Sequence, residues 1–281
     1  MTKINGKIAF LGIHGTYSDM ACRNAYADYE TVPCSSFEDV FAAVVKGDAD
    51  LAMIPIDNTL AGRVADVHNL LPDNDLHIIA EHFQPVSHAL IAPHDASLKT
   101  IKHVHSHIHA IPQCRKIVRD NKLQTHVHAD TASAAQHVAT LGDIEHAAIA
   151  SPLASEIYDL KTIESDIQDN QRNTTRFIVL SQELDVPDYD DNKTYITSFF
   201  FKVRNIPAAL YKSMGGFATN NVNMVKLESY VDEHFQAAQF YCDVEGHPEQ
   251  NSFKLAMEEL GFFAKEVRVL GTYEANSFRY S

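Results

Sequence analysis

From Lys7 to Leu180 short apolar runs alternate with helix-length patterns, and capping or turn residues bound each run. That alternation predicts an α/β fold on a largely parallel sheet. Strands are expected at Lys7–Leu11, Thr31–Cys34, Leu51–Ile56, Ile101–His105, Thr125–His128, His146–Ala150 and Thr175–Leu180, with extended segments within Leu76–Ala92. Between them fall helices at Ser18–Asp28 (Ser18 its cap), Ser36–Lys46, Val64–Leu71, Ile111–Asn121, Thr131–Leu141 and Leu153–Tyr158. Ser36 with Asp39 three residues on forms an approximate capping box.

The periodicity stops in the stretch Glu183–Lys193, where Pro187, Asp188, Asp190, Asp191 and Asn192 read as a linker. Beyond it a strand at Tyr195–Val203, a helix at Pro207–Ala218, strands at Asn223–Val231 and Phe235–Val244, a helix at Glu249–Gly261 and a strand at Glu266–Tyr273 give a ferredoxin-like βαββαβ order. A chain of 281 residues suits one large core and one small one. The expected domains are therefore 1–184 and 194–281, joined by 185–193.

A net charge of −14 leaves no basic footprint for nucleic acid or an anionic membrane. An anionic ligand would need positive potential supplied locally, by helix N-termini and a few arginines. No apolar run approaches the roughly 20 residues of a membrane span, and Met1–Lys7 lacks a secretory apolar stretch, so the expected location is the cytoplasm. Cys22, Cys34, Cys114 and Cys242 form no C-x-x-C pair and read as reduced, buried thiols.

Four segments rich in small polar residues fall where open α/β sheets gather ligands, at the carboxyl ends of strands: Gly12–Ser18, Asp57–Gly62, Ser106–Gln113 and Asp130–Ser133. Each places hydroxyls or amides beside backbone N–H groups suited to carboxylates or phosphates. The bland alternative is ordinary caps and turns, and for Asp57 and Asp130 capping is preferred over proton transfer. No Gly-Lys-Ser/Thr follows the first glycine loop, and no G-x-S-x-G elbow is present, which disfavours nucleotide binding and a serine nucleophile. His103, His105, His107 and His109 alternate, and His126 and His128 follow. An extended strand would align the first four, but Ser106 and His107 read as loop and no carboxylate or cysteine has ligand spacing with them. Surface or capping histidines are expected, with no metal and no cofactor.

Together these segments resemble the prephenate dehydratase family. Ala9–Gly12 with Gly15–Ser18 is similar to the family's first-strand motif, Ile54–Thr59 to its I-P-I-E-N-S, Ser106–Cys114 to its S-H-P-Q-x-x-x-Q-C, and Asp130–Ala135 to its threonine and serine loop. Asn173–Phe177 carries the T-R-F signature intact. The resemblance implies a two-lobed catalytic region similar to type 2 periplasmic binding proteins, in which prephenate loses carbon dioxide and water to give phenylpyruvate for phenylalanine synthesis. It implies Thr175, Arg176 and Phe177 as catalytic residues, and Thr16, Ser18, Asn58, Thr59, Ser106, Thr131, Ser133 and Thr174 as substrate-binding ones. Strand alternation sets Thr175 and Phe177 on one face and Thr174 and Arg176 on the other, so Arg176 is read either as a carboxylate clamp or as a brace behind the cleft.

The C-terminal module resembles an ACT domain, which implies phenylalanine as allosteric ligand and a homodimer or homotetramer. Asn205–Tyr211 is similar to its D-x-P-G-A-L-Y loop with Ala208 in place of glycine, and Lys226–Ser229 begins like its K-I-E-S-R-P strand but continues Tyr230-Val231. Asn205, Ala208, Ala209, Leu210, Glu228 and Ser229 are the expected allosteric residues. Arogenate dehydratase is the nearest alternative, and a non-catalytic amino-acid sensor the alternative from another class.

Overall fold

The computed structural model describes residues 5–204, 206–231 and 237–280. Its elements are β1 (Gly6–Leu11), α1 (Tyr17–Ala25), β2 (Tyr29–Cys34), α2 (Phe37–Val45), β3 (Leu51–Asn58), β4 (Gly62–Arg63), α3 (Ala65–Leu70), β5 (His77–Pro85), β6 (Ala89–Ala92), β7 (His103–His107), α4 (Arg115–Asp120), β8 (Gln124–His128), α5 (Thr131–Leu141), β9 (His146–Ala150), α6 (Pro152–Ile157), β10 (Lys161–Glu164) and β11 (Thr174–Ser181). Then follow β12 (Tyr195–Val203), α7 (Ala209–Thr219), β13 (Met224–Val231), β14 (Ala237–Glu245), α8 (Asn251–Phe263) and β15 (Ala264–Glu274). By contacts the chain divides into two units, Met1–Leu70 with His82–Phe177, and Leu71–Glu81 with Ile178–Ser281. The division falls inside β5 and β11.

The α/β reading holds, with mixed sheets. One six-stranded sheet runs β2-β1-β3-β11-β5 with β4 against β3, and one five-stranded sheet runs β10-β6-β9-β7-β8. In the first, β1 lies parallel to β2 and β3, and its centre, Ile8 to Phe10, is fully buried, as a strand covered on both faces must be. In the second, β7 is parallel to β8 and β9, while β6 is antiparallel to β9 and β10. Apolar side chains cover both of its faces: Leu90, Val104, Ala147 and Ile149 on one, and Ile91 and Ala148 under Ala134, Ala135 and Val138 of α5 on the other.

Three local expectations change. Thr16, not Ser18, caps α1, because its Oγ1 accepts the Asp19 N–H (3.3 Å). The helix expected over Ile111–Asn121 is a 3-10 turn at Ile111–Gln113 followed by α4, whose first N–H groups, Arg115 and Lys116, are taken by the Asp169 carboxylate. Ser106 and His107 belong to β7 rather than to a loop, since parallel pairing with β8 continues through His107 opposite His128. Ser36 caps α2 as expected.

In the second unit, β12 to β15 form one antiparallel sheet in the order β13-β14-β12-β15, with α7 packed on α8. Phe199, Phe201, Phe217, Phe240, Phe253 and Leu260 are central to its core. The expected start of the third strand at Phe235 lies outside the described residues. Within this unit Arg279 forks onto the buried Glu81 at 2.6 and 2.7 Å. Among the described residues no helix is long and apolar enough to cross a membrane.

Candidate active site

Asn58 closes β3, and its Oδ1 accepts two backbone N–H groups, from Leu60 (2.9 Å) and Ala61 (2.8 Å). Only an oxygen can accept them, so the amide orientation is fixed by the turn itself. Asn58 Nδ2 then donates to Asn173 Oδ1 (2.9 Å) and Thr175 Oγ1 (2.9 Å), with the Thr174 carbonyl at 3.3 Å.

That polarity propagates. Asn173 accepts at Oδ1, so its Nδ2 donates to Gln113 Oε1 (2.7 Å). Gln113 Oε1 is therefore an acceptor for His88 Nε2 (3.1 Å), which puts the ring proton on Nε2 and leaves Nδ1 to accept. The Tyr17 hydroxyl lies 2.8 Å from His88 Nδ1 and 2.6 Å from the Ser87 carbonyl, so its one proton is shared between these two acceptors. Burial pushes the His88 imidazole below its ordinary range, with the Gln113 bond opposing, and burial followed by the nearby Cys114 thiol pushes the Tyr17 phenol well up. Both stay neutral near pH 7. Six side chains, of which Asn58 and Thr175 lie on neighbouring strands of the first sheet, thus share one hydrogen-bond network, and two backbone N–H groups decide its sense as far as His88.

Two groups leave the network with donors to spare. Thr175 Oγ1 accepts from Asn58, and among the described residues no acceptor meets its own proton. Gln113 is half-buried, and its acceptor atom serves two partners while its amide N–H groups meet none among the described residues.

Thr175 and Asn173 reach Asn58 two residues apart on one face, as alternation requires. Arg176 turns the other way, is buried, and faces Asp57 across 3.9 Å. Three expected site residues are placed elsewhere. Phe177 is 1% exposed and belongs to the core, since it ends the polar part of β11. Ser106 is fully buried and spends its hydroxyl on the Ile149 carbonyl (2.6 Å), bracing β7 to β9 rather than meeting a ligand. Thr59 Oγ1 accepts Thr174 N–H (3.0 Å) and donates to the Arg172 carbonyl (3.1 Å), zipping the turn to β11.

Thr16 is a buried cap, and Thr131 is the buried first residue of α5. Ser133 and Asp130 form a reciprocal capping box, the preferred reading of Asp130. Ser18 lies half-buried in the first turn of α1, and Thr174 half-buried at the start of β11. The Gly12–Ser18 loop is tied to α6 by Ser151 Oγ on the Gly15 carbonyl (2.5 Å) and Tyr158 OH on the His14 carbonyl (2.7 Å). Gly15 has φ +91°, and a Cβ there would meet Ala154 Cα at 3.1 Å, so the close approach requires glycine. Tyr17, His88 and Gln113 were missed as site residues. Gln113 ends a segment singled out above, but only the folded distances connect it to His88 and Asn173.

Of the expected allosteric residues, Asn205 lies outside the described residues. Ala208 precedes α7 in the left-handed conformation (φ +60°), the geometry for which glycine is the usual choice. Ala209 is buried and Leu210 packs on the second unit's core, while Glu228 pairs with Lys226 (3.3 Å) and Ser229 is exposed, both on β13.

The histidines form a second feature. His105 Nδ1 lies 2.9 Å from His128 Nε2 and His105 Nε2 2.8 Å from His146 Nδ1, with the His137 ring 5.0 Å from those of His105 and His128. Burial first, then the surrounding imidazoles, pushes His105 down to about 3.

The prephenate dehydratase family model matches residues 8–185. A bifunctional N-acyl-homoserine lactone acylase/prephenate dehydratase of Komagataeibacter europaeus is 43% identical over 282 residues, covering 98% of this chain and 99% of that protein. Arogenate dehydratase/prephenate dehydratase 2 of Arabidopsis thaliana, a chloroplastic protein, is 34% identical over 281 residues, covering 96% of this chain and 73% of its own. The crystal structure of prephenate dehydratase in complex with L-Phe from Arthrobacter aurescens superposes with a TM-score of 0.86 at 28% identity, covering 96% of this chain and 90% of that one. The chain belongs to the prephenate dehydratase family and is an enzyme of its kind, a decarboxylating hydro-lyase.

Proposed function

We propose that Thr175 is the group at which this chain assists the departure of the ring hydroxyl from prephenate. The observation that carries the reading is the Asn58 to Thr175 bond, in which the threonine oxygen accepts and its own proton is left to donate outward. The ring carboxylate leaves as carbon dioxide, its bonding pair enters the ring, and the hydroxyl leaves as water with uptake of one proton, giving phenylpyruvate. Aromatisation drives the step. A threonine hydroxyl is too weak an acid to give up its proton unaided, so Thr175 acts as a hydrogen-bond donor to the charge growing on the departing oxygen. One such preorganised donor contributes roughly 10²- to 10³-fold in rate.

The Gln113 amide N–H groups are suited to a substrate carboxylate, and the N-terminus of α5 with Thr131 and Ser133 adds positive potential. Arg176, held against Asp57, braces β3 and β11 from behind. Thr175→Ala is expected to lower kcat at least ~100-fold with the fold intact, and Thr175→Ser to recover a measurable part of it. A Thr175→Ala variant within threefold of the wild-type rate overturns the assignment. Rates on prephenate and arogenate compared side by side test the substrate preference.

The order β12-α7-β13-β14-α8-β15 supports reading residues 194–281 as an ACT domain, after a catalytic domain at 1–184 and a linker at 185–193. L-phenylalanine is its proposed ligand, and feedback inhibition through a cytoplasmic homodimer or homotetramer the proposed role. Turnover with and without phenylalanine tests it. The 43% identity across 98% of the chain to the bifunctional relative supports a second activity, release of the acyl chain from N-acyl-homoserine lactones. Incubation with such a lactone, followed by chromatography for free homoserine lactone, decides that reading.

A further inference from the structure

We propose that His105, His128 and His137 form a binding site for a divalent transition-metal ion of the zinc type, built from residues that take no part in the Thr175 network. The site arises from strand register. His103 and His105 share a face of β7, His126 lies opposite His105 on β8, and His146 of β9 lies opposite His103. Helix α5 packs on this sheet and brings in His137, so residues scattered over four elements converge.

The distances suit an ion. One ring nitrogen from each of His105, His128 and His137 lies within 4.8 Å of the others. Zinc–nitrogen bonds of about 2.0–2.1 Å hold the nitrogens of a tetrahedral ion roughly 3.3 Å apart, a small adjustment from that spacing. A ligating histidine also needs a partner for its other nitrogen, and His105 has one: with Nδ1 toward His128, its Nε2 meets His146 Nδ1 at 2.8 Å. Burial is graded, with His105 buried, His128 half-buried and His137 exposed, which leaves an entry path and an open coordination position.

The donor set selects the ion class. Three imidazoles without a thiolate or carboxylate favour zinc, nickel or copper over magnesium or calcium. The chain's charge of −14 does nothing to repel a cation. His128 and His137 also bracket Asp130, Thr131 and Ser133, so a bound ion would brace the start of α5.

The test uses the untagged full chain, stripped with chelator and dialysed, then titrated with zinc chloride alone and with cobalt chloride as a spectroscopic probe. One zinc per chain is expected, with visible cobalt absorption of a nitrogen-rich site of low coordination number. His128→Asn and His137→Asn, at positions not buried in the core, are each expected to weaken binding at least ~tenfold. His94→Asn, which alters an exposed histidine paired with Asp159, is expected to leave binding unchanged. Circular dichroism confirms that each variant is folded. Failure of zinc to saturate one site at micromolar concentrations overturns the proposal, as does binding that both His128→Asn and His137→Asn retain.

Discussion

Asn58→Asp tests the polarity of the active-site network with almost no change in shape. One carboxylate oxygen keeps the Leu60 and Ala61 N–H groups, but the other must accept where Asn58 Nδ2 donates to Asn173 and Thr175. The Asn173 amide can repair its side by turning over only if Gln113 turns with it, since its Nδ2 otherwise donates to Gln113 Oε1. Thr175 can repair its side only by turning its proton inward, onto the carboxylate and away from substrate. A charge-assisted hydrogen bond is worth about 1.5–3 kcal/mol, so withdrawing the donor is expected to lower kcat roughly 10- to 150-fold. Added negative charge beside a dianionic substrate raises KM as well.

Phenylpyruvate formation measures both constants, and a thermal melt close to wild type shows that the fold tolerates the change. The two perturbations act on one hydrogen bond, so Thr175→Ala made in the Asn58→Asp background should lose much less than Thr175→Ala alone. The reasoning fails if Asn58→Asp turns over within threefold of wild type, or if the two losses multiply.

Gly15→Ala must hold φ near +91° and push a methyl toward Ala154, so it is expected to cost about 2–4 kcal/mol by denaturant titration. A wild-type midpoint would refute the close-approach argument. Ala208→Gly removes left-handed strain of about 1–2 kcal/mol and adds about 0.4–1 kcal/mol of unfolded-state entropy, so a net gain near 0.5–1 kcal/mol is expected. A loss in the same titration would count against it. The His88 imidazole is lowered in the folded state, so below about pH 6.5 the unfolded chain binds a proton that the folded chain refuses. Stability attributable to His88 is therefore expected to fall as pH drops through that value, and His88→Gln to flatten the slope. An unchanged slope in melts from pH 7 to pH 5 would show that His88 does not contribute.

The strand and helix pattern was largely legible because each element carries its own period: Ile8 to Phe10 reads as a buried strand before any partner is known. Alternation also separated Thr175 from Arg176, and the opposing strand completes the division, with Asn58 meeting Thr175 and Asp57 meeting Arg176. Phe177 shows where alternation stops being enough, since a position on the active face of a strand becomes core once the strand runs inward. What the linear chain hides is partnership at long range. Tyr17 and His88 are 71 residues apart, and His88 and Gln113 are joined only because β6 and β7 enter the same sheet.

The histidines make the same point from the other side. Their spacing along β7 suggested a shared face, yet no i, i+2 rule could supply His128 at the next strand's register or His137 from a helix laid over it. The ambiguity of a Gln or His side chain is likewise not resolved by its own neighbours. At Gln113 and His88 it is resolved two and three residues away in the network, by the two N–H groups that fix Asn58. Chemical direction at Thr175 is thus a property of the β3 turn, and substitutions in that turn should alter catalysis even where they touch no substrate.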